Sequence, residues 1–455
     1  MDPVPLETLK RWCDGELLSG NPEQTASAIC TDSRALKPGD LFFALRGERF
    51  DGHAFVAEAA RRGALGAVVE GEVVAVPEGF ALLRVKDVLV ALQQIAGHYR
   101  QTLPLKVVAI TGSNGKTSTK DLTAAILRER FRCVKTAGNL NNHIGVPLTL
   151  LQASAQDQVG VFEIGMNHPG EIAPLAALAR PDVAVITNIG VAHIEHMGSR
   201  EAIALEKGAL AQALPTEGVL VLEAEGDFCE ALANRTAAPT VLCGFDHGRV
   251  RASGLEQDFS GTRFLLHADG QTAAVSLPVP GAHMVSNALL AVGAGLSLGL
   301  TLSECAAGLG KLQLTKGRLE QKEARGIRVL DDTYNANPDS MVAALQTLAQ
   351  MPSSGRRMAV LGRMGELGAE SEQGHRRVGE AAGELGLDVL IAVGEEAAVT
   401  AQAARTRGVK TVLEVPGAEA AIVALRELAC RGDVVLVKGS RSARMERVVE
   451  GLERV

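Results

Sequence analysis

Short apolar runs alternate with longer amphipathic stretches along most of this chain. Val107-Val108-Ala109-Ile110, Val159–Ile164, Val183–Ile186 and Val219–Leu222 read as strands, and helical patterns fill the spaces between them. The same rhythm returns at Ile327–Leu330, Met358–Leu361, Val389–Val393, Val412–Val415 and Val434–Val437. Strand–helix alternation predicts largely parallel sheets with helices on their faces. The first hundred residues differ. There the turn signal Lys37-Pro38-Gly39-Asp40 precedes the strand-like Leu41-Phe42-Phe43-Ala44-Leu45, and a helical pattern runs from Ala54 to Arg62. Gln101-Thr102-Leu103-Pro104 reads as a linker, and a second break falls near Gly317. The expected fold is α/β with three domains: a small mixed domain over 1–103, a central parallel-sheet domain over 104–315 and a second doubly wound, Rossmann-like domain over 316–455.

Composition narrows the function. The chain of 455 residues is too long for one ordinary core. Hydrophobic residues at 46% and charged residues at 22% place it among globular proteins rather than disordered ones. Aromatics at 3% and a net charge of −7 argue against a base-stacking or polyanion-binding protein, so no nucleic-acid partner is expected. Its seven cysteines are scattered and form no Cys-x-x-Cys pair, which predicts reduced, mostly buried thiols rather than disulfides or zinc. No cationic start leads into an apolar run, and no apolar stretch reaches membrane-spanning length. The expectation is a cytoplasmic protein without membrane insertion.

Chemistry first becomes visible at Thr111-Gly112-Ser113-Asn114-Gly115-Lys116-Thr117-Ser118, between a strand and a helix. The usual phosphate loop has two glycines five positions apart before Lys-Ser/Thr. Here Gly112 lies three before Gly115, and Ile110 occupies the position five before it. The physics survives the shortening. Small residues let backbone N–H groups turn toward phosphates, and the helix N-terminus adds its dipole. Lys116 suits the β- and γ-phosphates, and the Thr117 hydroxyl suits Mg²⁺. The central domain is therefore expected to be P-loop ATPase-like. The plain alternative is a tight strand-to-helix turn with a surface lysine.

Two further strand ends carry polar groups. Glu163 closes the apolar run Val161-Phe162 and is a candidate Mg²⁺ ligand; strand ends of open parallel sheets border ligand crevices. His193 follows Val183–Ile186 through Thr187-Asn188-Ile189-Gly190. Ser199 reads as the N-cap of a helix with Glu201 in its first turn and Lys207 farther along. A lysine amid Ala204, Leu205, Ala209 and Leu210 is ordinarily a surface group with a buried stem, and a lone histidine is ordinarily structural.

With these motifs in place, the chain resembles the Mur ligase superfamily, which builds the peptide of the bacterial cell wall, over nearly its whole length. Four stretches carry the likeness: Thr111–Ser118; Gly138-Asn139-Leu140-Asn141-Asn142-His143-Ile144-Gly145-Val146-Pro147; Glu163–Asn167 with Gly170-Glu171-Ile172 behind it; and Asp331-Asp332-Thr333-Tyr334-Asn335-Ala336-Asn337-Pro338-Asp339-Ser340. The second and fourth are characteristic of the D-alanyl-D-alanine-adding branch. The resemblance implies that Gly112, Ser113, Asn114, Gly115, Lys116, Thr117 and Ser118 hold ATP, and that Thr117, Glu163 and His193 bind Mg²⁺. It implies that Lys207 is carbamylated, which turns an ammonium into a carboxylate-like metal ligand. Asn287 would contact adenine, Arg318 would reach a nucleotide phosphate, and Asp332 would lie near the ribose. Ser33, Arg34, Arg46, Asp51, Gly52 and His53 would contact the uridine nucleotide, and Lys438-Gly439-Ser440-Arg441-Ser442 would lie near the incoming substrate. At Arg363, relatives commonly carry aspartate, so no role transfers to that position.

The activity implied is ATP-dependent joining of D-alanyl-D-alanine to UDP-N-acetylmuramoyl-tripeptide through an acyl phosphate, catalysed with Lys116, Glu163, His193 and Lys207. Phosphorylation supplies the leaving group that a carboxylate lacks. Lys116, Mg²⁺ and Arg318 would neutralise charge on the transferring phosphoryl group. The partners implied are small molecules, and a monomer is expected. Two alternatives stay open at this point: another amide ligase of the superfamily, such as the enzyme adding the third residue or a folylpolyglutamate synthase, and a nucleotide switch or motor without an acyl acceptor.

Overall fold

The computed structural model describes residues 1–48, 50–71 and 76–453. By internal contacts the chain falls into two compact units, Met1–Ala109 with Phe131–Gly165 and Ala173–Asp182, and Ile110–Arg130 with Met166–Ile172 and Val183–Val455. This division does not follow the chain linearly, because segments remote in sequence share one core.

The first unit opens with helix α1 (Leu6–Trp12) and a sheet of β1 (Glu16–Ser19), β2 (Ile29–Cys30), β3 (Leu41–Phe43), β4 (Gly66–Glu70) and β5 (Ala81–Val85). Its order is β1-β5-β4-β3-β2, parallel except where β1 runs antiparallel to β5. Phe42, Ala67, Val69 and Leu82 bury one face of the sheet against Val56 and Ala59 of α2 (Val56–Arg61). The helix expected over 54–62 is thus split into a 3₁₀ turn, Gly52–Phe55, and α2. Asp87 caps α3 (Val88–Thr102) by accepting from the Val90 N–H at 2.9 Å. The predicted linker at 101–104 takes in the last two residues of this helix and is exposed except at Leu103. Buried Arg100 donates to the carbonyls of Leu103 (3.3 Å) and Leu105 (2.9 Å) and to that of Ala179 (3.0 Å). One guanidinium therefore supplies donors to carbonyls that would otherwise be orphaned in the interior. Strand β6 (Lys106–Thr111) begins in this unit, as do β7 (Cys133–Lys135) and β8 (Val159–Glu163), which pair in parallel.

In the second unit, α4 (Lys116–Leu127) follows β6. The strands β9 (Val183–Ile186), β10 (Val219–Glu223) and β11 (Thr240–Gly244) are parallel. All four residues of β9 are buried, as expected of a strand covered on both faces. Beyond β11 lies an antiparallel meander of β12 (Val250–Asp258), β13 (Gly261–Ala268) and β14 (Gln271–Leu277) that the apolar-run reading passes over. Its strands alternate, with Phe264, Leu266 and Ala268 buried and Arg263 and Leu265 exposed. Only every second residue there is required to be apolar. Helix α5 (Ala282–Ser297) is buried on nearly all sides, and Thr301 and Glu304 form a capping box at the start of α6 (Leu302–Leu309).

The C-terminal sheet contains β15 (Glu320–Ala324), β16 (Ile327–Asp332), β17 (Arg357–Gly362), β18 (Val389–Val393), β19 (Thr411–Val415) and β20 (Val434–Lys438), in the order β15-β16-β20-β17-β18-β19. It is parallel apart from the β15–β16 hairpin. Helices α7 (Pro338–Gln350) and α8 (Ser371–Glu384) follow β16 and β17. Val329, Val360, Ile391 and Val435 form the centre of one packed face of this sheet.

Candidate active site

The phosphate loop is held in shape before any ligand enters. Thr187 N–H donates to Thr111 O at 2.9 Å, Ser113 N–H to Asn188 O at 2.9 Å, and Asn114 N–H to Asn188 Oδ1 at 3.0 Å. The Thr187 hydroxyl donates to Asn114 O at 2.5 Å. Gly115 takes φ +78°, a left-handed conformation that an L side chain resists, and a Cβ there would overlap Asn287. α4 therefore starts with no side-chain cap, and the positive end of its dipole faces the loop. Lys116 Nζ donates back to Gly112 O at 2.7 Å and to Ser113 O at 3.4 Å, while Thr117 and Ser118 are buried in the first turn of the helix.

Three nucleotide-site candidates outside the loop lie in its unit. Asn287, buried on α5, accepts from the Thr119 hydroxyl at 3.3 Å. Arg318 stacks over the Tyr334 ring, 4.3 Å from its centroid, and donates to the Thr117 hydroxyl at 3.4 Å. Asp332, at the end of β16, pairs with the fully buried Lys438 of β20 at 2.5 Å. Lys438 also donates to Asn335 O at 2.9 Å, so this pair shapes the 333–337 loop. The motif reading left the Asp332–Lys438 partnership unassigned, although both residues end neighbouring apolar strands. A cleft of about 220 Å³ is lined by Asn188, which holds the loop, and by Arg200, Glu223 and Phe228 among others.

His193 has φ +63° and begins a short helix. Its Nδ1 lies 2.6 Å from Glu366 of the 361–368 stretch, and this contact holds the Glu366 carboxyl below the ordinary range. Ser199 caps the next helix, Arg200–Lys207, by accepting from the Ala202 N–H at 3.2 Å, as its sequence predicts. The ordinary expectation for Lys207 is corrected. It has no exposed surface, and burial, reinforced by the charge of Lys116, pushes its amine well below the usual lysine range. A helical lysine among alanines can point either way, and here it points inward. Among the described residues no group of three or more His, Cys, Asp or Glu side chains forms a cation site.

In the first unit, Glu163 is buried and accepts from Asn141 Nδ2 at 2.8 Å, which joins two of the four motif stretches. Asp51 accepts from the His53 N–H at 2.9 Å and faces His53 Nδ1 at 2.6 Å and Arg46 at 3.1 Å. His53 Nε2 accepts from the Glu70 N–H at 2.8 Å, which places the ring proton of the neutral imidazole on Nδ1, toward Asp51. Gly52 is buried between these two residues. Ser33 lies half-buried on a turn beside Arg34, which forms a bidentate pair with Asp32 at 2.8 and 2.9 Å, and this pairing holds the Asp32 carboxyl near 2. Arg363, the departure from the family pattern, pairs at the surface with Glu396 at 2.7 Å. All seven cysteines are free. Only Cys13, Cys243 and Cys305 are fully buried and Cys430 is exposed, so the expectation of mostly buried thiols holds for less than half of them.

Three family models match successive segments: the Mur ligase family catalytic domain over residues 25–100, the Mur ligase middle domain over 110–295 and the Mur ligase glutamate ligase domain over 317–441. The chain is 40% identical to UDP-N-acetylmuramoyl-tripeptide–D-alanyl-D-alanine ligase of Escherichia coli (strain K12), covering 100% of this chain and 99% of that protein. It is similar to the crystal structure of MurF from Acinetobacter baumannii, with a TM-score of 0.91 and 34% identity over 100% of both chains. It is also similar to the MurF ligase of Thermotoga maritima in complex with ADP, with a TM-score of 0.84 and 29% identity over 94% of this chain and 97% of that one. With the strand, loop and helix at 106–127 in place and its matches running end to end, the chain belongs to the Mur ligase family.

Proposed function

We infer that this chain is an ATP-dependent, ADP-forming ligase that joins D-alanyl-D-alanine to UDP-N-acetylmuramoyl-tripeptide in peptidoglycan synthesis. The observation that carries this reading is the full-length identity to ligases of that name, together with an uncapped helix start behind Gly115 that suits a nucleotide phosphate. Lys116 offers a charge that can leave Gly112 O for the β/γ-phosphates, and Arg318, already at Thr117, would add a second. Asn287, which meets Thr119 near the start of α4, and Asp332, which pairs with Lys438, are in keeping with base and ribose contacts. Ser33, Arg34, Arg46, Asp51, Gly52 and His53 would receive the uridine nucleotide. The domain bounds 1–103, 104–315 and 316–455 belong to the same reading, as do a monomeric state and a cytoplasmic location. No helix among the described residues is long and apolar enough to cross a membrane.

Mg²⁺ fits this chain only in a particular chemical form. Protonated Lys207 beside Lys116 would oppose a cation, but burial favours its neutral amine, the form that reacts with carbon dioxide. The carbamate would supply hard oxygen donors. Thr117, His193 and carbamylated Lys207 would then hold the ion, with Glu163 in the role implied by family resemblance. When bound, Mg²⁺ would neutralise charge on the phosphates. The chain's own part is to align the carboxylate with the γ-phosphate and keep water from the acyl phosphate until the amine attacks.

A substrate-omission assay tests the reading. Phosphate release is expected with ATP, UDP-N-acetylmuramoyl-tripeptide and D-alanyl-D-alanine together, and at background level when either the tripeptide or the dipeptide is left out. Steady release from ATP alone would indicate a switch or motor instead.

A further inference from the structure

We propose that Asp339 is a positioning residue that latches the start of α7 onto the Gly190–Val191 turn, and that Gly190 is required only because this latch exists. Asp339 belongs to the Asp331–Ser340 stretch, yet it has no part in the nucleotide contacts described above. Its Oδ2 accepts from the Val191 N–H at 3.3 Å, and its Oδ1 accepts from Arg377 of α8 at 2.8 Å. Next to it, Asn337 caps α7 through Oδ1, which accepts from Ser340 N–H at 2.9 Å. The Nδ2 of the same amide donates to Asn114 Oδ1 in the phosphate loop at 2.7 Å. The start of α7 thus touches both the loop and the strap Asn188–His193, whose first residue supports the loop.

Gly190 carries the argument. Its φ is not positive, so its backbone conformation does not call for glycine. A Cβ built there would nevertheless overlap Asp339 Oδ2 and would lie 3.3 Å from Asn114 Nδ2. Both obstacles are side chains, and the closer one arrives with α7. An alanine at 190 would act as a wedge under the latch while leaving the strap able to fold. Asn188, two residues before Gly190, holds the phosphate loop, and His193, three residues after it, meets Glu366 of the C-terminal domain. Seating Asp339 therefore fixes the middle of a strap whose ends serve the loop and the candidate metal site. The latch is built to release: Arg377 is 53% exposed, and the bond to Val191 is a single long one. A domain that must open for product release needs a contact of this kind.

The inference rests on the ligase reading for its readout. Gly190→Ala, Asp339→Ala and the double variant would be made in the full chain. Thermal unfolding and ATP binding in the absence of other substrates are measured, followed by kcat and KM with all three. Gly190→Ala should unfold at or above the wild-type temperature and bind ATP within about twofold, while kcat/KM for D-alanyl-D-alanine falls about ten- to a hundredfold. Asp339→Ala should lose about fivefold. The double variant should match Asp339→Ala alone, because the closer obstacle is gone and only the movable Asn114 amide at 3.3 Å remains. Losses that multiply, a Gly190→Ala protein that fails to fold, or one with unchanged kinetics would each overturn the latch. If Lys116→Ala kept its ligation, the nucleotide reading itself would fall; if it lost ligation while the other losses multiplied, only the latch would fall.

Discussion

Two strand–loop–helix units in this chain begin their helices in opposite ways. β6 leads into α4 through Gly115, which has no side chain to offer, and the first turn of α4 receives no side-chain cap. β16 leads into α7 through Asn337, which forms a capping box with Ser340 ahead of Pro338 at the first helical position. At the start of α4 no side chain closes the helix end, and its dipole remains available to an anion. At the start of α7 the amides are satisfied locally, and the helix start serves to carry side chains, Asn337 toward Asn114 and Asp339 toward Val191. A helix start without a side-chain cap keeps its dipole for a ligand, and one closed by its own sequence makes a rigid mount.

The largest effect should come from the open start. Lys116→Ala should lower phosphoryl transfer by about 10²–10³, the scale of one fixed transition-state charge. The thermal midpoint should stay near wild type. Substantial ligation in this variant would remove the distinction between the two helix starts. Lys207→Ala tests the same side through the metal. Nearly complete loss is expected, with partial recovery when a short carboxylic acid is supplied, and full activity without rescue would return Lys207 to a packing role.

Stability effects are smaller. Burial pushes the His283 imidazole, in the first turn of α5, down to about 4. That lies below the unfolded value near 6.5, so between the two the unfolded chain binds a proton that the folded chain refuses. Stability should be full above about pH 6.5 and fall as pH drops toward 4, by up to about 3 kcal/mol and less where water reaches the ring. His283→Gln should flatten this slope in urea titrations at pH 7 and pH 5. On the capped side, Asn337→Ala should cost about 1 kcal/mol by the same measurement. Asn337→Ser should keep most of the cap but lose the reach to Asn114, which separates stability from the contact. Arg363→Asp should change stability by less than about 1 kcal/mol, since its pair with Glu396 is exposed.

The parallel strands were legible because both of their faces are buried. Val183–Ile186 and Val389–Val393 have the same limits in the sequence and in the fold. The meander of β12–β14 was not legible, because one face meets water and the strands carry Arg251, Glu256 and Arg263 between apolar residues. The glycine turn between β6 and α4 and the Ser199 cap were readable from local chemistry, since a turn and a cap involve residues a few positions apart.

By itself, then, the sequence determined what depends on neighbours along the chain: strand and helix rhythm, the loop with its glycines, the caps, and family membership through motifs of fixed spacing. Only the tertiary structure decided matters that depend on partners far along the chain. Lys207 could have been a surface lysine until packing buried its amine. Asp332 could have been any strand-end carboxylate until β20 brought Lys438 to it across 106 residues. Gly190 was only part of the link from a strand to His193 until α7 placed the Asp339 carboxylate where its side chain would have been. In each case the physical reason is the same: burial, charge pairing and steric exclusion depend on distance in space, which local sequence does not encode.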